Sequence, residues 1–398
     1  MPTLNNPAND ASLFDTPSIT SKLPQVGTTI FTLMSALAAE KKAVNLGQGF
    51  PDFDCDPALL DAVTSAMKNG WNQYPPMTGV AALREAIALK IASIYGHHYN
   101  PQNEITITAG ATQALLTSIL CCVRTDDEVI VIEPAFDSYL PAIALAGGKA
   151  VCVQMEVDET GYAVPWDKVA AAITARTRLI LINSPHNPTG SILRASDLQK
   201  LADIVRGTDI LLLSDEVYEH MVYDGMQHES VCRHPELAAR TFVVSSFGKT
   251  YHVTGWKIGY VAAPAELMKE FHKVHQYSLF SVNTPMQHAI AAYMANPQPY
   301  LTLPTFYQRK RDLFRDGLAN TRFKLLPADG TYFQCVDYRA ISDLPENDFA
   351  QWLTAEIGVA AIPVSAFYNE PKNSGIIRFC FAKKEETLRT ALARLAKI

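Results

Sequence analysis

Charged residues are scarce in this chain, and its cysteines follow no metal-binding pattern. Asp, Glu, Lys and Arg make up 19% of the 398 residues, and the formal net charge is -6. This small negative charge gives no reason to expect binding to nucleic acid or to an anionic membrane. The seven cysteines are odd in number and form no CxxC pair. The pattern argues against a zinc site or a disulfide framework and predicts reduced thiols in a cytoplasmic protein.

Long apolar segments are also missing. The beginning of the chain carries Asp10 and Asp15 and has no basic segment followed by an apolar one, so no signal peptide is predicted. The longest apolar helical stretch, Ala111 to Val123, contains several polar residues and is too short to span a bilayer. Apolar residues still make up 48% of the chain. That content suffices for a buried core, and a chain of this length usually divides into two domains.

Short apolar runs alternate with helical stretches between residues 55 and 290. Runs of this length fit strands that are buried on both faces, and their alternation with helices predicts a doubly wound, mostly parallel sheet. The seven predicted strands are Ile105–Thr108, Val129–Ile132, Val151–Gln154, Leu179–Ile182, Ile210–Leu213, Phe242–Ser245 and Ile258–Ala262. A helical stretch over Pro285–Met294 follows them.

The two ends of the chain are predicted to form a second, smaller unit. Residues 1 to about 28 are rich in Pro, Asn, Ser and Thr, which is typical of an extended arm, and a helix is predicted from Thr29 to Lys41. The C-terminal elements are a helix near Thr305–Asn320, a strand near Tyr332–Val336, a helix near Asp348–Glu356, a strand near Ile376–Phe381 and a helix from Glu385. The predicted fold is α/β, with a large domain over residues 55–290 and a smaller α+β domain formed by residues 1–54 and 291–398.

Small, aromatic and amide residues follow three of the predicted strands, where open α/β sheets bind their ligands. Ala109–Thr112 opens a helix after the first strand, and helix starts suit phosphate groups. Phe136 follows the second strand and could stack on a flat ring. Asn187 lies between prolines, which fix the loop that carries it. Taken singly, a tight turn, a core aromatic and a common Asn-Pro turn explain these residues equally well.

An acid and a lysine follow two further strands. Asp215 ends an apolar run, where a carboxylate is costly unless a cation such as a ring nitrogen pairs with it, although it could also cap the next helix. Lys249 follows another run, and its amine could attack a carbonyl if burial or the nearby Lys257 lowers its pKa. The Gly248–Thr250 tripeptide is not part of a P-loop, because position 243 is Val. Together the five strand ends predict one binding crevice.

These motifs resemble those of the fold-type I pyridoxal-phosphate aminotransferases. The similarity extends from about Lys22 to the C-terminus, and its most specific segments are Asn183–Gly190, Ser214–Tyr218 and Ser245–Lys257. The segment Asn45–Phe53 is similar to the kynurenine aminotransferase group. Within that group, the bacterial methionine aminotransferases are resembled most, through Lys22–Phe31, His275–Tyr277 and Phe379–Glu385.

The resemblance implies how pyridoxal 5'-phosphate would be held. Lys249 would form a Schiff base with it and shuttle a proton, and Asp215 would pair with the ring nitrogen. The other implied cofactor contacts are Tyr218 and Asn187 on the phenolic oxygen, Phe136 on the ring, and Ala111, Thr112, Ser246 and Lys257 on the phosphate. Tyr74 would reach the phosphate in a neighbouring subunit, which implies a homodimer. Many related enzymes carry Arg at the position of Lys257, but lysine suits the kynurenine and methionine group.

The resemblance also implies a substrate site and a reaction. Arg378, helped by Gly49 and Asn187, would bind the substrate carboxylate, because a guanidinium offers two parallel donors. Phe31 and Phe280 would line the side-chain pocket, although both could be ordinary core residues. The expected reaction is transfer of the amino group of methionine, and of aromatic amino acids, to a 2-oxo acid. No membrane or nucleic-acid partner is expected.

Two other functions remain open at this point. A lyase that acts on cysteine conjugates, or one that forms a cyclopropane ring, would use the same cofactor and the same carbanion chemistry. A cofactor-sensing domain of a transcription regulator would carry a basic helix-turn-helix module ahead of this fold, whereas only about two dozen residues precede the similarity here. The motifs do not rank methionine against phenylalanine, tyrosine, histidine or kynurenine.

Overall fold

The computed structural model describes residues 19–158, 160–370 and 372–398. Most of the predicted N-terminal arm, residues 1–18, lies outside these ranges. The first helix spans Ile30–Glu40. Its start is fixed by Thr29, whose side-chain oxygen accepts a hydrogen bond from the Thr32 N–H at 3.3 Å. The helix predicted from Thr29 to Lys41 is therefore confirmed to within one residue at each end.

A seven-stranded sheet forms the centre of the large part of the molecule. Its strands are β1 (Ile105–Thr108), β2 (Glu128–Glu133), β3 (Lys149–Gln154), β4 (Thr177–Asn183), β5 (Leu211–Asp215), β6 (Thr241–Ser246) and β7 (Gly259–Ala262). Their order across the sheet is β1-β7-β6-β5-β4-β2-β3. The strand pairs β3–β2, β2–β4, β4–β5 and β5–β6 are parallel, and β7 is antiparallel to its two neighbours, β1 and β6. The predicted mostly parallel, seven-stranded sheet is confirmed.

The direction of β7 follows from the short connection that precedes it. The chain between β6 and β7 holds one helical turn, Phe247–Thr250, and one 3-10 turn, Thr254–Trp256. A parallel neighbour needs a longer crossover that packs a helix across the sheet. The chain instead turns back at the same edge, so Lys249 and Lys257 both lie on this compact turn.

Helices surround the large sheet. They span Pro57–Lys68, Ala81–Tyr95, Gly110–Cys122, Tyr139–Leu145, Trp166–Ala171, Ala195–Val205, Pro235–Ala238, Ala265–Ser278 and Thr284–Tyr293. Adjacent strand residues pack into different cores, as the alternation of side chains along a strand requires. Ile130 and Ile180 belong to one apolar cluster, and Val129 and Leu179 to another. The sheet is therefore buried on both faces, which is why its strands are continuous apolar runs.

A smaller antiparallel sheet lies in the C-terminal part of the chain. Its strands are β8 (Lys324–Leu325), β9 (Phe333–Asp337), β10 (Ile362–Pro363) and β11 (Ile376–Cys380), in the order β8-β9-β11-β10. The helices in this region span Gln298–Leu301, Leu303–Leu318, Glu346–Trp352 and Glu385–Leu395, and a π-helical turn covers Leu353–Ile357. The N-terminal strand Val44–Asn45 pairs with Val359–Ala360. Both chain ends thus build the smaller unit, as predicted, whereas the division at residues 54 and 290 stays a prediction.

Several predicted boundaries differ from the observed ones by one to three residues. The strands predicted to end at Leu213 and Ser245 continue to Asp215 and Ser246, because these residues still pair with Asn183 and Gly259. The helix predicted from about residue 305 begins at residue 303, since a proline at its second position suits a first turn. No helix within the described ranges is long and apolar enough to cross a membrane. All seven cysteines lie in those ranges as free thiols.

Candidate active site

A cavity of about 360 Å³ opens at the carboxyl ends of β2, β4, β5 and β6. It is closed on the other side by residues of the smaller unit, among them Arg378 on β11 and Phe333 on β9. The predicted site residues that line it are Phe31, Gly49, Ala111, Thr112, Phe136, Asn187, Asp215, Tyr218, Ser246, Lys249, Lys257 and Arg378. The structure thus brings together all of the predicted site residues except Tyr74 and Phe280.

The amine of Lys249 lies between the two units. Its Nζ donates hydrogen bonds to the Gly49 carbonyl at 3.1 Å and to the Tyr332 hydroxyl at 2.9 Å. Desolvation, together with the charges of Arg378 and Lys257, lowers the pKa of this amine to about 8. A lower pKa raises the fraction of neutral amine near pH 7, and the neutral amine is the nucleophile.

The carboxylate of Asp215 is buried at the end of β5. It is 3% exposed and accepts hydrogen bonds from the Tyr139 hydroxyl at 2.7 Å and the Val217 N–H at 3.3 Å. Burial raises its pKa to about 6. In the described ranges, no basic side chain comes within ion-pair distance of it. Because a buried carboxylate is costly without a positive partner, this position suits a cationic ligand group.

Asn183 ties this carboxylate segment to the loop that carries Asn187. Its side-chain amide donates to the backbone carbonyl of Asp215 at 2.8 Å, and its Oδ1 accepts from the Asn187 N–H at 2.8 Å. The residue is 8% exposed and lines the cavity. One side chain therefore sets the spacing between two predicted cofactor contacts.

Four residues of the cavity lining form a cradle for a ligand: Ala111 and Thr112 at a helix start, Ser246 and Lys257. The helix Gly110–Cys122 begins without a side-chain cap, so its first N–H groups are available to a ligand. A Cβ atom at Gly110 would lie 3.4 Å from Lys257 Nζ, which places that ammonium over the first turn. A Cβ at Gly259 would lie 2.7 Å from the Ser245 carbonyl oxygen, so only glycine lets the backbone of β7 pack this closely at the cradle. Backbone donors and a nearby ammonium fit a phosphate group.

The guanidinium of Arg378 is 1% exposed and has no anionic partner in the described part of the chain. Its Nη1 donates to Asn187 Oδ1 at 2.6 Å and its Nη2 to the Gly47 carbonyl at 3.2 Å. Its central carbon lies 3.8 Å from the centroid of the Phe333 ring. Burial lowers the pKa of this guanidinium from its ordinary value. A buried cation held only by neutral oxygens and an aromatic face is suited to a carboxylate.

Aromatic rings make up much of the remaining wall. Phe136 meets Tyr139 edge-on with ring centroids 5.7 Å apart, and Tyr218 meets Tyr332 edge-on at 5.1 Å. Burial raises the pKa of the Tyr218 hydroxyl, so it remains a hydrogen-bond donor at neutral pH. Phe31 lies at the opposite side of the cavity, on the first helix. These rings offer stacking surface and an apolar pocket wall.

Tyr74 and Phe280 lie outside the cavity of their own chain. Their rings meet each other at 5.2 Å, and the two residues are 81% and 43% exposed. Trp71 and Tyr277, which are 50% and 90% exposed, lie nearby in sequence. The role of Tyr74 in a neighbouring subunit and the role of Phe280 in a side-chain pocket therefore stay predictions.

Several cavity residues were missed by the sequence analysis. They are Gln48, Asp137, Asn183, Thr254 and Phe333. Tyr139 and Tyr332, which hydrogen-bond the lining residues Asp215 and Lys249, were missed as well. Asp137, Tyr139 and Asn183 lie beside predicted site residues in the same strand-end loops, so a wider window could have found them. Tyr332 and Phe333 begin an apolar strand of the smaller unit, and that pattern predicts only packing.

The Tyr332 hydroxyl offers a test of this arrangement in the protein without any ligand. It bonds both Lys249 and the Gly49 carbonyl. Tyr332→Phe is expected to lower stability by about 1–2 kcal/mol, because it removes one hydrogen bond from the Lys249 amine and one from the Gly49 carbonyl and leaves these two groups bonded only to each other. Thermal unfolding near pH 7 measures the loss.

Tyr307→Phe is the matched control. Tyr307 is also buried, its ring lies 5.7 Å from that of Tyr332, and its hydroxyl has no hydrogen-bond partner among the described residues. The control is expected to change stability by less than about 0.5 kcal/mol, since it breaks no hydrogen bond. Equal losses in the two variants would show that the Tyr332 hydroxyl does not hold the amine.

Comparison with known proteins supports the motif resemblance over most of the chain. Residues 41–395 match the family model described as aminotransferase class I and II. Methionine aminotransferase from Escherichia coli (strain K12) is 50% identical over 379 residues, which cover 95% of this chain and 98% of the relative. A probable N-succinyldiaminopimelate aminotransferase from Mycobacterium tuberculosis is 39% identical, with 94% and 97% covered. Kynurenine–oxoglutarate transaminase from Dictyostelium discoideum is 35% identical, with 94% of each covered.

The fold agrees with the sequence comparison. A crystal structure from Escherichia coli, described as identifying a methionine aminotransferase function, superposes with a TM-score of 0.94. It is 50% identical, and the match covers 96% of this chain and all of that one. The resemblance to the kynurenine group and to bacterial methionine aminotransferases is confirmed. This protein belongs to the aminotransferase class I and II family.

Proposed function

We propose that this aminotransferase uses pyridoxal 5'-phosphate to transfer the amino group of methionine to a 2-oxo acid. The observation that carries the proposal is the Lys249 amine, whose pKa is lowered to about 8 and which lies in one cavity with an unpaired buried acid, Asp215. The 50% identity to a methionine aminotransferase supports the choice of amino acid.

The cavity residues fit this cofactor group by group. Bound pyridoxal phosphate supplies an aldehyde that condenses with amines and a ring that takes up electrons from the substrate Cα. Asp215, which finds no cation in the described chain, would keep the ring nitrogen protonated. The cradle residues Ala111, Thr112, Ser246 and Lys257 would hold the phosphate, Phe136 would stack on the ring, and Asn187 and Tyr218 would donate to its phenolic oxygen.

Lys249 would serve both as the covalent attachment and as the base of the reaction. Its amine would hold the cofactor aldehyde before substrate binds, and once released it would move a proton away from the substrate Cα. The Tyr332 hydroxyl and the Gly49 carbonyl lie within hydrogen-bond distance of this amine. They would therefore hold the released amine inside the cavity between its two tasks.

The substrate carboxylate would bind Arg378, with help from Asn187 and Gly49. The apolar wall at Phe31 would accept a thioether or an aromatic side chain, so aromatic amino acids are included as substrates. We include a homodimer in the proposal, in which the exposed Tyr74 reaches the phosphate of the neighbouring subunit and Phe280 completes that subunit's side-chain pocket.

A half-reaction panel tests this function. The protein is loaded with pyridoxal phosphate and mixed with single amino acids, without a 2-oxo acid, while the visible absorbance of the cofactor and the 2-oxo acid product are followed. Methionine is expected to bleach the absorbance fastest, with the aromatic amino acids next. Failure to take up the cofactor, or no bleaching with any amino acid, would overturn the proposal. Release of pyruvate from a cysteine conjugate under these conditions would instead assign a lyase.

A further inference from the structure

Each basic residue described in the lining of the cavity has a proposed partner, so no cation remains to bind a second carboxylate. Its lining contains Lys249, Lys257 and Arg378 as basic residues. In the proposed function, on which this inference rests, these three side chains bind the cofactor aldehyde, its phosphate and the substrate α-carboxylate. A dicarboxylic substrate, such as glutamate or 2-oxoglutarate, would bring a further negative charge with no positive partner among the described residues that line the cavity.

The wall next to the ring-stacking position is itself acidic. Asp137 directly follows Phe136, lines the same cavity and keeps part of its side chain exposed to solvent. It pairs with no basic side chain within ion-pair distance in the described ranges. Burial raises the pKa of this carboxyl, while the charge of Arg378 favours its ionised form. Asp137 and Arg378 line the same cavity, so a substrate whose α-carboxylate binds Arg378 would bring any second carboxylate into the space that this negative group borders.

In the proposed homodimer, the segments of the neighbouring subunit that would reach the cavity would bring no compensating cation. The residues around Tyr74 are Asn72–Met77, and those around Phe280 are Tyr277–Asn283. Neither segment contains a lysine, arginine or histidine. Their aromatic side chains would instead extend the apolar wall.

We infer that Asp137 is a specificity-determining residue that excludes dicarboxylic substrates from both half-reactions. The amino donor and the 2-oxo acid acceptor then both carry uncharged side chains. The acceptor is accordingly a monocarboxylic 2-oxo acid rather than 2-oxoglutarate.

Asp137→Asn tests the inference with nearly unchanged shape. We compare kcat/KM for 4-methylthio-2-oxobutanoate, the oxo acid of methionine, with kcat/KM for 2-oxoglutarate. The wild-type protein is expected to favour the monocarboxylic acid, and the variant is expected to lower that preference about tenfold, since like charges a few ångströms apart near a surface repel by this order. An unchanged preference in the variant, or equal use of both acids by the wild type, would overturn the inference.

Asp209→Asn is the matched control, because it makes the same change of net charge at an exposed position before β5, at the opposite end of the strand from the cavity. Its preference is expected to equal that of the wild type. A shift as large as that of Asp137→Asn would show a general charge effect and contradict the inference.

An equilibrium measurement separates this inference from the proposed function. The cofactor-loaded protein is titrated with 4-(methylthio)butanoate and with glutarate, which lack the reacting carbonyl and amine. Tighter binding of the first, by a ratio that falls about tenfold in Asp137→Asn, supports the specificity role even if turnover fails. Transamination with equal binding of the two acids in both proteins would leave the proposed function standing and remove the role of Asp137.

Discussion

Replacing Lys249 with alanine is expected to lower transamination by at least about 10⁴-fold, because in the proposed function one amine supplies both covalent attachment and proton transfer. The loss is expected in the rate of the methionine half-reaction, measured by stopped-flow absorbance. The visible absorbance of the bound cofactor is expected to shift, since its aldehyde is no longer joined to the chain. Circular dichroism is expected to stay close to that of the wild type, because the side chain lines a cavity rather than the apolar core, and the loss of its two hydrogen bonds is expected to lower stability by no more than about 1–2 kcal/mol.

Lys200→Ala provides the control for removal of a lysine. Lys200 is exposed on the helix Ala195–Val205, away from the cavity. Its variant is expected to keep wild-type turnover and cofactor absorbance. If Lys249→Ala retained turnover within tenfold of the control, the assignment of the nucleophile and base to Lys249 would be wrong.

Replacing Arg378 with alanine is expected to raise the KM for methionine about 10²- to 10³-fold, because two charge-assisted hydrogen bonds to the substrate are lost. The dissociation constant for pyridoxal phosphate is expected to change less than about threefold, since the guanidinium is assigned to the substrate and not to the cofactor. Steady-state kinetics over a wide methionine range, together with cofactor titration, gives both numbers.

Two further variants make the Arg378 result specific. Arg378→Lys keeps the charge but loses the planar pair of donors, so its KM is expected to lie between those of the wild type and the alanine variant. Arg389→Ala removes an exposed arginine from the last helix and is expected to leave both constants unchanged. Equal weakening of substrate and cofactor binding in Arg378→Ala would contradict the carboxylate role, and thermal unfolding shows whether loss of its packing on Phe333 contributes.

The strand ends of the large sheet could be predicted because their physics is local. A strand buried on both faces is a continuous apolar run, and the first polar residue after it marks the sheet edge. Phe136, Asn187, Asp215 and Lys249 were found in this way, and the structure brings all four to one cavity. The direction of β7 could not be predicted from this pattern, because a buried strand is a continuous apolar run whether it is parallel or antiparallel to its neighbours.

The part of the site that comes from the smaller unit could not be found from local pattern. Tyr332 contacts Lys249 across 83 positions of sequence, and Arg378 contacts Asn187 across 191. Contacts of this kind depend on how two units pack, and the sequence of an apolar strand such as β9 does not predict them. Arg378 was reached through family resemblance alone, and Tyr332 was not reached at all.

The compact turn between β6 and β7 has a consequence for how the enzyme can move. It carries both Lys249 and Lys257, so in the proposed function the anchors for the aldehyde and for the phosphate would lie on one short stretch of backbone. Arg378, Tyr332 and Gly49 belong instead to the region built by the chain ends. In that function, a movement of the second region relative to the first would change the substrate side of the pocket and leave both cofactor anchors in place.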